Sequence, residues 1–130
     1  MNIDSLGVFE KAFLSALLWS EDDPNRNYEP FDSHYTIHDF SEDALIKISM
    51  ECHRFKLVAY EYTTWSLYNN KIAERAGRDF ALTRNGHGTG FWDRPDIYGK
   101  EDAKILTVMS DCFGEIYVYV NDETGKLEVA

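Results

Sequence analysis

Leu45, Ile48, Cys52, Phe55, Ala59 and Tyr62 recur at alternating intervals of three and four residues. That spacing draws one continuous apolar seam along an α-helix. Ser41 supplies an N-cap, and Glu42 and Asp43 set negative charge at the positive helix terminus. Phe40 before the cap and Leu45 four residues after it fit a hydrophobic staple. A long helix with one apolar stripe must bury that stripe against other elements, so the seam dictates that the rest of the chain supply partners.

A first partner is read at residues 5–20, with Ser5 as cap. Phe9, Phe13, Ala16, Leu17 and Ser20 follow helical spacing, and Ala12, Leu14 and Leu18 widen the apolar face toward a largely buried helix. A third helix is read from Gly99 to Phe113, with Ala103, Leu106, Met109 or Ser110, and Phe113 inward. Ile72, Ala73 and Ala76 predict a short helical turn ended by Gly77 as a C-terminal cap. Residues 21–40 carry acids, Asn, Pro24 and Pro30 without periodicity and read as a loop. Tyr28, Phe31, Tyr35, Ile37 and Phe40 pin that loop to the body.

After Gly77 the period changes to alternation. Residues 79–84 and 90–94 read as two strands joined at Asn85-Gly86, a strong short-range hairpin signal. Ile116, Val118 and Val120 alternate with Tyr117 and Tyr119, and a turn at 122–125 leads to a short strand at 127–129. The expected fold is therefore α+β in one domain over 1–130. An antiparallel sheet of two hairpins, about four strands, packs with three main helices.

The formal net charge is −10, unevenly spread. Residues 1–51 hold 11 acids and 3 bases, 52–100 hold 5 acids and 8 bases, and 101–130 hold 7 acids and 2 bases. Such a surface repels nucleic acid and membranes and favours a partner with a basic surface. No apolar run reaches the about 18 residues of a membrane span. The N-terminus lacks the basic start of a secretory signal, and Cys52 and Cys112 fall on apolar helix faces as buried free thiols. These features point to the cytoplasm.

Residues 82–94 concentrate polar chemistry: Leu-Thr-Arg-Asn-Gly-His-Gly-Thr-Gly-Phe-Trp-Asp-Arg. Alternating glycines expose backbone N–H groups, and an arginine on each side makes an anion nest. Arg84, Asn85, His87, Trp92, Asp93 and Arg94 are the candidate binding residues; none is assigned a catalytic role. The same residues also suit an internal tie, with Asp93 paired to Arg84 or Arg94 and Trp92 in the core. No Gly-Lys-Ser/Thr ending makes this a P-loop, and no cofactor motif is read. His34 and His38, with Asp32 and Asp39 nearby, have metal-like spacing but fall in a loop without a partner motif, so no metal site is assigned.

The block from Ala76 to Arg94, with its Leu82-Thr-Arg-Asn-Gly-His-Gly-Thr-Gly-Phe-Trp-Asp-Arg94 core, resembles one in an uncharacterised family of small acidic proteins encoded by bacteriophages and prophages. The layout is similar as well: an N-terminal helix like Phe13 to Trp19, an acidic loop, a helix, the block, another helix, and a Tyr-Val hairpin like Tyr117 to Leu127. Ala81 stands where an aromatic is common in that family, and Arg78 where His is common. The resemblance implies a phage context and carries no catalytic residue. Three functions are consistent with these features. One is a non-enzymatic accessory protein that binds and modulates a host protein, including by DNA mimicry against a nucleic-acid-acting or defence enzyme. Another is a small-anion or nucleotide-binding module built on 84–94. The third is a small hydrolase using His87 and Asp93.

Overall fold

In the computed structural model, which describes residues 1–130, the seam of the second helix lies where its spacing puts it. Helix α2 runs Glu42–Tyr62, and the Ser41 hydroxyl accepts the Ala44 N–H at 3.1 Å. Leu45, Ile48, Cys52, Phe55 and Ala59 are buried, while Tyr62 at the end of the seam is exposed. Helix α1 spans Val8–Ser20, α3 Asn70–Arg84, α4 Pro95–Tyr98 and α5 Lys100–Phe113. Two minimal antiparallel sheets complete the fold, β1 Asp22–Asp23 with β2 Glu29–Pro30, and β3 Val118–Val120 with β4 Leu127–Val129. The architecture is α+β with helices dominant, and none of those helices is long and apolar enough to cross a membrane.

Phenylalanines from every long helix meet at the centre. Phe55 of α2 stacks on Phe80 of α3 with ring centroids 4.0 Å apart. Phe13 of α1 lies 5.2 Å from Phe80, and Phe113 of α5 meets Phe80 edge-on at 5.4 Å. Offset and edge-to-face ring pairs of this kind add to the area that they bury. One hydrophobic cluster of 29 buried residues joins the long helices to Phe31, Phe40, Phe91 and the C-terminal hairpin, so the chain has one core.

The expected hairpin at 79–94 is not formed. Residues 79–84 are the last turns of α3, and Asp79, Phe80, Ala81, Leu82, Thr83 and Arg84 are all buried. A helix buried on every side loses its polar face and with it the helical period. Asn85-Gly86 is the helix exit. Gly86 has φ 65°, its N–H donates to the Thr83 carbonyl at 3.3 Å, and the His87 N–H donates to the Leu82 carbonyl at 3.2 Å. That is a Schellman closure, which needs the left-handed residue that a type I′ hairpin turn also needs.

Gly77 is likewise no helix end. A Cβ on it would lie 2.2 Å from the Phe9 carbonyl oxygen and 3.2 Å from the Ala12 Cβ. Its missing side chain lets α3 press onto α1, and the helix runs on through it. The second hairpin forms as expected at 118–129, but separately from β1–β2, which lies in the segment read as loop. Instead of joining one broad sheet, β4 docks on the start of α2. Phe40 bridges Leu127, and the Ser41 N–H donates to the Leu127 carbonyl at 2.9 Å. Cys52 is buried as expected, whereas Cys112 is exposed on α5.

Candidate functional site

The residues of the 84–94 block point in different directions, because each answers a local need of the fold. Arg84 ends α3 with its side chain only 3% exposed. Its Nε donates to the Gly114 carbonyl at 2.7 Å, and Nη2 donates to the Phe113 carbonyl at 3.2 Å and to Glu51 Oε1 at 3.0 Å. The guanidinium lies over the Phe80 and Phe113 rings. Arg84 thus closes the C-terminus of α5 and ties it to α2 and α3. Burial pulls its pKa down, against the raising effect of Glu51.

Asn85 continues the tie. Its amide donates to the Ile116 carbonyl at 3.0 Å and accepts the Ile116 N–H at 2.8 Å, pairing with the chain as a strand would. The same amide nitrogen donates to Glu21 Oε1 at 2.5 Å, and His87 Nε2 lies 3.1 Å from Glu21 Oε2. Burial raises the Glu21 pKa, and His87 lowers it. Asp93 accepts the Gly90 N–H at 2.9 Å and the Thr89 hydroxyl at 3.0 Å, and the Gly90 bond holds its pKa down. Gly90, at φ 154°, leaves no room for a Cβ, which would fall 2.1 Å from Thr83 Oγ1. His87 and Asp93 therefore bond to different partners. Trp92, expected in the core on the structural reading of the block, is 53% exposed.

Arg94, unlike the enclosed Arg84, is fixed yet partly open. Its Nε donates to Asp79 Oδ1 at 2.9 Å, and Nη2 donates to Thr89 Oγ1 at 3.2 Å. Asp79 is fully buried, and its other oxygen accepts the Tyr98 hydroxyl at 2.7 Å. The Asp79 bond raises the Arg94 pKa, so the charge is permanent. The Arg94 side chain, 27% exposed, lines a groove of about 760 Å³ between α1 and α3. Lys11, Trp19, Glu74 and Arg78 share its lining with the buried Leu82.

Sequence spacing does not single out Lys11 and Trp19, because the apolar content of α1 predicts a largely buried helix. Val8, Ala12, Ser15 and Trp19 follow helical spacing on the face opposite the core residues, a signal present in the chain but overshadowed by its apolar content.

The acidic segments form a second surface. Docking of β4 on the start of α2 brings residues 115–130 beside residues 21–43. The buried Asp23 and the exposed Asp122 share one cleft of about 310 Å³ with Arg26, and Asp43 and Glu128 share another of about 350 Å³ with Lys47. Asp22, Glu29, Asp32, Glu42 and Glu123 are exposed in the same segments. In the loop beneath, His34 Nε2 lies 3.4 Å from Glu29, and the Asp39 carboxylate accepts the Thr36 N–H at 2.7 Å.

No protein-family model, curated protein or solved structure matches this chain.

Proposed function

We propose that this protein is a small phage-type accessory protein that works by binding another protein, presenting its acidic end to a basic surface of a host partner. The observation that carries this reading is the meeting of two acidic segments, far apart in sequence, at the junction of β4 with α2. Summed fields of one sign steer a partner of opposite charge and discriminate against like charge. Three bases of the middle segment are drawn away from that end, while Arg54 shares a cleft with Asp43. Arg84 is consumed inside the fold, and Arg78 and Arg94 line the groove between α1 and α3. Partners that normally hold nucleic acid carry surfaces of the required sign, which makes mimicry of phosphate the natural mode of action. The resemblance of the Ala76–Arg94 block to phage and prophage proteins supports the phage setting.

Catalysis has less support. The Cys52 thiol is sealed in the core, where burial raises its pKa well above the ordinary value and leaves it protonated and unreactive. The test is capture from bacterial lysate by the wild-type chain and by a variant with Asp22→Asn, Glu29→Gln, Asp43→Asn and Asp122→Asn. The expected result is a basic protein retained by the first, lost by the second and displaced by DNA. Equal capture by both would overturn the proposal.

A second reading, a module for small anions, is favoured by one observation, the convergence of Lys11, Arg78 and Arg94 on the groove.

A further inference from the structure

The α1–α3 groove is built differently from the rest of the surface. In a chain of net charge −10, three cations from three separate segments line one cavity against a single carboxylate, Glu74. None of the ion pairs in the fold engages Lys11. Arg78 has only the exposed Glu74 one turn earlier, at 3.5 Å. Arg94 is held by Asp79 and Thr89 through Nε and Nη2, which leaves Nη1 without a partner. Fixing a guanidinium in this way removes its conformational freedom before any ligand arrives, a hallmark of a recognition group. Asp79 tethers Arg94 to α3, the helix that also carries Arg78, and both arginines line the groove.

The other end of the groove is aromatic. Trp19 is 44% exposed, on the same helix as Lys11 and eight residues further along. At 1.5 Å per residue the two are about 12 Å apart along the axis. Ser15 lies between them, and Thr89, whose hydroxyl is held by Asp93 and Arg94, also lines the groove. A cavity of about 760 Å³ falls within the range of sites that enclose a small organic molecule.

We propose that this groove binds an aromatic phosphate of nucleotide size. Its planar ring rests on Trp19, and its phosphate lies among Lys11, Arg78 and Arg94. The site is distinct from the acidic end and does not depend on that end docking a protein. Lys11 and Arg78 supply diffuse positive charge, and Arg94 supplies its free Nη1 as a fixed donor toward a phosphate oxygen. Trp19 contributes stacking that accepts any planar base, so affinity should depend more on phosphate than on base identity.

The experiment is isothermal titration of the full chain with the common ribonucleoside 5′-mono- and diphosphates, beside adenosine, inorganic phosphate and a short single-stranded DNA. The expected result is saturable one-to-one binding of at least one nucleotide with Kd below about 1 mM, and weaker binding of phosphate or adenosine alone. The Lys11→Gln/Arg78→Gln double variant should melt at the wild-type temperature and bind that nucleotide at least about tenfold more weakly. Trp19→Ala should weaken the nucleotide and leave inorganic phosphate unchanged. Absence of saturable binding by every mononucleotide, binding of the DNA alone, or full affinity in the double variant would each overturn the proposal.

Discussion

Arg84 and Glu51 form an ion pair at 3.0 Å with side chains only 3% and 17% exposed, and Arg84 also takes the last two carbonyls of the α5 terminus. Removing one partner of a buried pair leaves the other charge uncompensated, which commonly costs about 3–5 kcal/mol. Arg84→Ala is therefore expected to destabilise the fold by that order, read as a shift in the midpoint of urea denaturation. A variant that kept the wild-type midpoint would show that Arg84 is free to serve a ligand, as an anion nest requires.

Gly77→Ala separates two effects of opposite sign. Alanine favours a helix interior over glycine by about 1 kcal/mol. In this fold its methyl group would fall 2.2 Å from the Phe9 carbonyl oxygen, an atom of the backbone that cannot swing aside. Packing should win, and α1 should be forced away from α3, with a net loss of about 1–3 kcal/mol of the kind seen for overpacked cores. A more stable variant would mean that the two helices do not approach this closely.

Asp93 yields a pH signature. The Gly90 N–H and the Thr89 hydroxyl favour its ionised form and lower its pKa from the ordinary 3.8. A depressed carboxyl pKa contributes stability above the unfolded value, and that contribution fades as pH falls through the folded value. The difference in melting temperature between wild type and Asp93→Asn should hold from pH 7 to about pH 4 and narrow only below about 3.8. A difference that closed by pH 5 would assign the effect to another group.

Much of this architecture was legible in the chain. Ser41, the Leu45–Ala59 seam and the alternation at 116–120 each met an environment with a solvent side and a core side, so their periods survived. Residues 79–84 did not, because every side chain there is enclosed. Asn85-Gly86 misled for a related reason, since a Schellman closure and a hairpin turn demand the same left-handed glycine. Cys112 misled because it neighbours apolar residues on α5 yet turns outward. As for the site, the block was visible as unusual, but its division into tie and groove wall depends on contacts with Glu51, Glu21, Asp79 and Ile116, which sequence spacing does not reveal. Lys11 and Trp19 lay outside the block altogether.

The most direct test of the acidic end is the salt dependence of binding to the basic protein captured from lysate. Titration of that purified partner at about 50 mM and about 500 mM salt compares long-range attraction nearly unscreened with attraction almost fully screened. For docking through the acidic end, Kd should rise by at least about tenfold between the two, and the Asp22, Glu29, Asp43 and Asp122 neutralised variant should bind weakly and with little salt dependence. An affinity unchanged by salt, with the neutralised variant binding as tightly as wild type, would contradict it.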